Sequence, residues 1–302
     1  MRERRSLAGG KARTELEKCC VVQVGGERQQ MFETIFEQIK RLRHQSDIAY
    51  EKGEYERGVH FAEQAAHLGK SAFGTNHPEY ATSLNNLAVL YQAMGRLVEA
   101  EPLFCQAREI LKQQLGETHP DYATSLNNLA ALYRDMGRLG EAEPLHRQAM
   151  EILKQQLGET HPNYAGSLHN LAQLYQAMGR LGEAEPLFCQ AMEIHKQQLG
   201  ETHPHYAALL NSLAGLYLAM GRLGEAEPLF CQAMEIGKQQ LGETHPHYAA
   251  LLNSLAALYK EMGRLGEAEP LFCQAMEIFK QQLGETHSDY ASSLNNLAGL
   301  YQ

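Results

Sequence analysis

The sequence predicts an all-α fold in which antiparallel helix hairpins stack into a solenoid, and three observations carry that expectation. The dipeptide His-Pro recurs at His77, His119, His161, His203 and His245, and His287 continues the series with Ser288 in place of proline, each step being 42 residues. The remaining prolines keep the same step, at Pro102, Pro144, Pro186, Pro228 and Pro270. Within each unit, two sets of apolar residues at helical spacing flank a glycine-containing turn. Such self-similarity marks a stacked array, because one hairpin cannot bury its apolar faces alone and must share a core with its neighbours.

Taken in order, residues 1–30 show no pattern and carry seven basic against four acidic groups, so a basic, disordered tail is expected, with Met31 as a candidate alternative start. Residues 31–76 fit the repeat register loosely, Gly53 preceding Gly95 and Ala65 preceding Ala107 by the repeat length. They are expected to form a diverged capping hairpin whose outer face meets water. Five repeats fill 77–286. In the unit starting at His119, Tyr122, Ala123, Leu126, Leu129, Ala130, Leu132 and Tyr133 predict a helix A over 121–136, with Pro120 suited to its first position. Gly137 and Gly140 mark the turn. Ala142, Leu145, Ala149, Ile152, Leu153 and Leu157 then predict a helix B over 141–157, with Pro144 in its first turn and Gly158 ending it. Residues 287–302 read as the first helix of a truncated sixth repeat. Its Leu297, Leu300 and Tyr301 are expected to lack the helix B that covers their counterparts. The chain is therefore expected either to continue past Gln302 or to be covered there by another subunit, which allows end-to-end self-association.

Composition narrows the function. The formal charge is −9, and residues 77–302 alone carry −11, so nucleic acid is not an expected partner. The apolar runs fall well short of the roughly 18 residues a membrane helix needs, and no apolar stretch follows the N-terminal arginines, so neither a membrane partner nor secretion is expected. The string Gly69-Lys70-Ser71 mimics a phosphate loop, but Gln64 stands where that loop needs glycine and a helix precedes it. No other nucleophile or dinucleotide motif occurs, and the glutamates Glu141, Glu143 and Glu151 recur in every unit, which predicts a solvated face rather than a catalytic site. Histidines at equivalent positions of successive units lie roughly 8–10 Å apart, too far to share one metal. Cys105, Cys189, Cys231 and Cys273 recur at one helix-B position without a Cys-x-x-Cys pair, which predicts reduced thiols, a cytoplasmic setting and no cofactor.

The pattern Leu126, Leu129-Ala130, Tyr133, Gly137, Ala142, His146, Ala149 resembles the tetratricopeptide repeat, and the His146 position holds phenylalanine in the other full repeats. The strings HPDYATSLNNLAALYRDMGRLGEAEPL and AMEILKQQLGETHP are similar to the 42-residue variety of kinesin light chains. The resemblance covers 77–302 strongly and 31–76 weakly. It implies a right-handed α-α superhelix whose helices A line a concave groove, a protein or peptide ligand, and no enzymatic activity. It further implies that the groove is lined by Asn85, Asn127, His169, Asn211, Asn253 and Asn295, followed by Asn86, Asn128, Asn170, Ser212, Ser254 and Asn296.

An amide offers both a donor and an acceptor, so such a ladder suits the backbone of an extended peptide; bracing of neighbouring helices is the other reading of these side chains. Specificity is expected from positions that vary between repeats: Val89, Ala131, Gln173, Gly215, Ala257 and Gly299, then Gln92, Arg134, Gln176, Leu218 and Lys260. The family's clamp for a C-terminal carboxylate uses lysine where this chain has asparagine or histidine. The combined expectation is a non-catalytic scaffold that binds a peptide or helix of a partner. The alternatives are a regulatory array of a larger signalling ATPase or protease, and a self-associating structural array.

Overall fold

A computed structural model describes residues 26–285 and 287–301. The expected basic tail falls outside them, except that residues 26–30 already belong to a helix, so the first hairpin starts earlier than its apolar pattern indicates. Among the described residues there are thirteen α-helices and no strand. Helices α1 (Gly26–Glu51) and α2 (Tyr55–Phe73) form the first hairpin. The five repeats follow as α3 (Pro78–Ala93) with α4 (Leu97–Leu115), α5 (Pro120–Asp135) with α6 (Leu139–Leu157), α7 (Pro162–Ala177) with α8 (Leu181–Leu199), α9 (Pro204–Ala219) with α10 (Leu223–Leu241), and α11 (Pro246–Glu261) with α12 (Leu265–Leu283). The chain closes on α13 (Ser288–Ala298).

Local chemistry sets each boundary. His119 has an extended backbone and its Nδ1 accepts the Asp121 N–H at 3.1 Å, so the histidine of each His-Pro pair caps helix A while the proline occupies its first position. His77, His161, His203, His245 and His287 do the same. At the far end Gly137 takes φ +74°, a left-handed conformation that costs glycine nothing, and the Arg138 N–H reaches back to the Tyr133 carbonyl at 2.8 Å.

That single glycine completes the reversal, which corrects two sequence expectations. Helix B begins at Leu139, so Gly140 lies inside the helix and not in the turn. Pro144 falls beyond the first turn, where an N–H would have bonded the carbonyl four residues earlier. The helix nevertheless runs unbroken to Leu157.

Packing explains the curvature. Alanines 107, 149, 191, 233 and 275 are fully buried at one helix-B position and let neighbouring helices approach closely. Each helix A touches both its own helix B and the helix A of the next hairpin, whereas successive helices B do not pair in this way. Helices A therefore lie on the inner side of the bend. At the turns between helices A and B a recurrent clasp joins the repeats. The Arg138 guanidinium lies 4.0 Å from the Tyr133 ring centroid, donates to Glu141 of its own helix and donates at 2.7 Å to Glu101 of the preceding repeat. Arg180, Arg222 and Arg264 repeat it with Glu143, Glu185 and Glu227. The expectation of a merely solvated glutamate face is corrected accordingly, since Glu143 and its copies bind the next repeat. At the C-terminal end Leu300 is buried and Leu297 packs with it against Phe272. Of the three residues expected to lie bare there, only Tyr301 is exposed, joined by Leu294.

Candidate functional site: the inner face of helices A

One residue of helix rotation separates two kinds of amide on the inner face. Asn85 and Asn127 are buried, and Asn211, Asn253 and His169 are half-buried, whereas Asn295 is exposed. The Asn85, Asn211 and Asn253 Oδ1 atoms and the His169 Nδ1 are shut away from water without a hydrogen-bond partner in the chain. Asn127 is the exception, because the His146 Nδ1–H donates to its Oδ1 at 2.8 Å. This first series therefore points into the seam between helices A and B.

The second series lies at the surface of the inner face. Asn86, Asn128 and Asn170 are half-buried with no hydrogen bond inside the chain among the described residues, and Asn296 is exposed. Ser212 and Ser254, which take this position further on, spend their hydroxyls on the Ala208 and Ala250 carbonyls at 2.9 and 3.1 Å. Within this second series the half-buried amides without a partner therefore fall in the first three repeats.

The variable positions join one another across helices. The Arg134 Nη1 donates to Gln173 Oε1 at 2.8 Å and its Nη2 donates to Asp135 at 3.0 Å, while the Gln92 Nε2 donates to the other Asp135 oxygen at 2.6 Å. A polar strip therefore runs over α3, α5 and α7. Asp135 was not among the expected site residues, and its adjacency to Arg134 was the signal for it. Gln176 is half-buried beside the strip. Lys260 reaches α13, its Nζ lying 3.0 Å from where a Cβ on Gly299 would stand.

Beneath the strip sit two histidines. His146 is fully buried and burial lowers its pKa to about 4, with the Arg134 charge adding. His169 packs edge-on to Phe188 at 5.5 Å, and burial takes it to about 4 as well, with His195 and Arg134 adding. Both imidazoles are neutral near pH 7. Among the described residues no three His, Cys, Asp or Glu side chains come together as metal ligands, and the four repeat cysteines are half-buried thiols.

The inner face also meets the far end of the chain. The turn between α1 and α2 comes against α12 and α13, so that a Cβ on Gly53 would stand 2.9 Å from Leu283 Cδ2, and the Tyr55 and His287 rings lie 5.7 Å apart. A cleft of about 410 Å³ opens at this junction, lined by Asp47, Tyr50, Tyr55, Asn86, His247 and Asp289 among others. Burial raises the Tyr55 pKa, and Tyr50 and the Asp289 carboxylate raise it further. Sequence reasoning missed this junction entirely.

The tetratricopeptide repeat model matches in six overlapping stretches, 42–113, 92–155, 121–197, 164–239, 205–281 and 248–302. The chain belongs to the tetratricopeptide repeat family. Its unit is of the kinesin light chain-like type: a putative kinesin light chain of Podosopora anserina with nearly identical repeats is 34% identical over 68% of this chain and 97% of that one, with a TM-score of 0.55. BtubC (BKLC) from P. vanneervenii is 25% identical over 78% of this chain and 92% of that one, with a TM-score of 0.57. A Rap protein complexed with competence and sporulation factor shares the fold, with a TM-score of 0.62 over 96% of this chain and 79% of that one at 14% identity. No curated protein matches in sequence. Tetratricopeptide repeats are a non-catalytic family of protein-interaction scaffolds, and among the described residues no helix is long and apolar enough to cross a membrane.

Proposed function

We propose that this tetratricopeptide scaffold holds an extended segment of a partner protein along the inner face of helices A, without catalysing a reaction. The observation that carries this reading is the row of half-buried amides Asn86, Asn128 and Asn170, which recur at one position of α3, α5 and α7 and bond nothing in the chain. Each can give one donor and one acceptor to a peptide backbone, an interaction that tolerates many side-chain sequences. The strip of Gln92, Asp135, Arg134 and Gln173 beside them supplies polar contacts that differ from repeat to repeat, and Gln176 and Lys260 extend it. Selectivity resides there.

The test is a peptide-display selection on the full chain, run beside Asn128→Ala/Asn170→Ala with unchanged helicity confirmed by circular dichroism. Enriched peptides should bind the double variant about 5-fold to 100-fold more weakly, as expected for two lost hydrogen bonds. If nothing enriches, or if both proteins select the same peptides equally well, the groove reading fails. Self-association through the Leu294 and Tyr301 end, or service as the regulatory array of a larger enzyme, then takes its place.

A further inference from the structure

The same turn occurs six times, and at one of them a distant part of the chain stands against it. Gly53, Gly95, Gly137, Gly179, Gly221 and Gly263 all adopt φ between +69° and +74°, yet a Cβ on the last five would meet nothing within 4 Å. At Gly53 that Cβ would stand 2.9 Å from Leu283 Cδ2 and 3.8 Å from His287 Cδ2. Gly53 lies in the turn from a helix A to its helix B, whereas Leu283 ends a helix B and His287 caps the helix A that follows. The contact therefore joins opposite rims of the array, which completes one turn of its superhelix and meets itself displaced by the length of a helix.

We propose that this contact is a latch, which closes the inner face into a channel and opens without unfolding any hairpin. The latch stands on its own geometry, independent of what the channel holds. For the partner segment placed in the groove above, closure sets the route of entry: a free chain end can thread the channel, whereas a segment between two folded domains enters only through the open latch. The seam borders the first amide of the row, since Asn86 and Val89 line the cleft between the two ends together with Tyr55 and Leu283.

The two ends are fitted to each other by residues that the other hairpins do not use in this way. Tyr55 begins α2, where leucine begins every later helix B, at Leu97, Leu139, Leu181, Leu223 and Leu265. That tyrosine supplies the ring lying 5.7 Å from the His287 ring, tilted by 35°. His287 caps the last described helix, yet only 11% of its side chain is exposed, against 24% for His119, which has hairpins packed on both sides. The first hairpin supplies the missing cover. The joint is small, because one turn meets another there, whereas neighbouring hairpins pack whole helices along their length. Such a joint opens at a lower free energy than the elements it connects.

Pulsed dipolar spectroscopy on the full chain reads the latch without any ligand. Lys52 and Gln282 are exposed beside the two halves of the contact, and nitroxides attached there through a ketone-bearing amino acid leave the native cysteines untouched. A dominant short distance is expected. Tyr55→Leu, which restores the residue of the other hairpins, should lower the ratio of short to long distances about 2-fold to 12-fold, the range for losing one aromatic pair. Gly53→Asn tolerates the left-handed turn and wedges a side chain toward Leu283, so it should lower the ratio as well. Gly137→Asn makes the same change where the space is open and should leave the ratio as it is. Circular dichroism should be unchanged in all three. A wild-type distribution without the short distance, an unchanged ratio in Tyr55→Leu or Gly53→Asn, an equal fall in Gly137→Asn, or helicity lost in step with the ratio would overturn the proposal. The Asn128→Ala/Asn170→Ala protein should keep the short distance, so a failed groove and a failed latch give different results.

Discussion

Residues 119–202 and 203–286 are two pairs of hairpins built on one plan, and they differ at one interior slot and at the amide beside it, although Phe188 fills the slot in the second hairpin of the first pair too. In the second pair Phe230 and Phe272 occupy it at 2% and 1% exposure, while the neighbouring Asn211 and Asn253 carbonyl oxygens stay buried without a partner. In the first pair His146 takes the slot at 0% exposure and satisfies Asn127, and His169 replaces the next asparagine beside Phe188. One solution keeps apolar volume and tolerates an orphaned acceptor. The other satisfies Asn127 or removes the next asparagine, and instead leaves one nitrogen of each imidazole, His146 Nε2 and His169 Nδ1, buried without a partner. An unpaired buried carbonyl costs about 1–3 kcal/mol, comparable to the difference between a phenyl and an imidazole in an apolar site, which is why one fold carries both.

The largest expected effect breaks the apolar solution. Phe230→Ala should destabilise the array by about 3–5 kcal/mol through lost burial and the cavity left behind. His146→Ala should cost less, since it returns Asn127 to the unpartnered state its counterparts already occupy. Urea denaturation followed by circular dichroism compares the two. If the His146 variant is the less stable one, the hydrogen bond to Asn127 contributes more than the phenylalanine packing it replaces.

Acid should separate the two regions next. His146 and His169 titrate near pH 4 in the folded chain, against about 6.5 when unfolded. Between those values the unfolded chain binds more protons, so stability is full above about pH 6.5 and falls as the pH drops toward 4. The loss approaches about 3 kcal/mol for each histidine, with no further loss once both states are protonated. Because repeat arrays are stabilised unit by unit, hydrogen exchange at pH 4.5 should open residues 119–202 before 203–286. Uniform opening would show that the array unfolds as one body. His146→Phe should remove its share of the pH dependence and leave that of His169.

The hairpins were legible because they are specified locally: the His-Pro cap, the left-handed glycine and the two helical apolar stripes recur in every unit. Pro144 misled because proline usually signals a helix start, whereas the left-handed turn at Gly137 had already begun helix B at Leu139. For the amide series the difficulty was angular. Asn127 and Asn128 are adjacent in sequence but about 100° apart around the helix, and only packed neighbours decide that the first turns inward. The junction of Gly53 and Tyr55 with Leu283 and His287 had no trace in the repeat, since it depends on small rotations summed over the whole array.

The smallest effect sharpens the comparison inside the uniform pair, whose units differ where they border different neighbours. Gly237 faces Leu251 so closely that a Cβ would stand 2.5 Å from Leu251 Cδ1. Of the equivalent pairs, Phe279 with Ser293, Leu153 with Ser167 and Leu111 with Ser125 set a large residue across from a small one, whereas His195 with Leu209 are both large and Gly69 with Ser83 both small. At Gly237 volume is traded across the seam between one helix B and the next helix A, and glycine in mid-helix is tolerated because Leu251 fills the space. Gly237→Leu alone should destabilise the array by about 1–3 kcal/mol, because overpacking outweighs the gain in helix propensity. Adding Leu251→Ser recreates the Leu111–Ser125 arrangement and should recover most of that loss. A double-mutant cycle by urea denaturation measures the coupling. Additive effects would mean that Leu251 swings clear unaided and that the alternation of large and small residues does not set this seam.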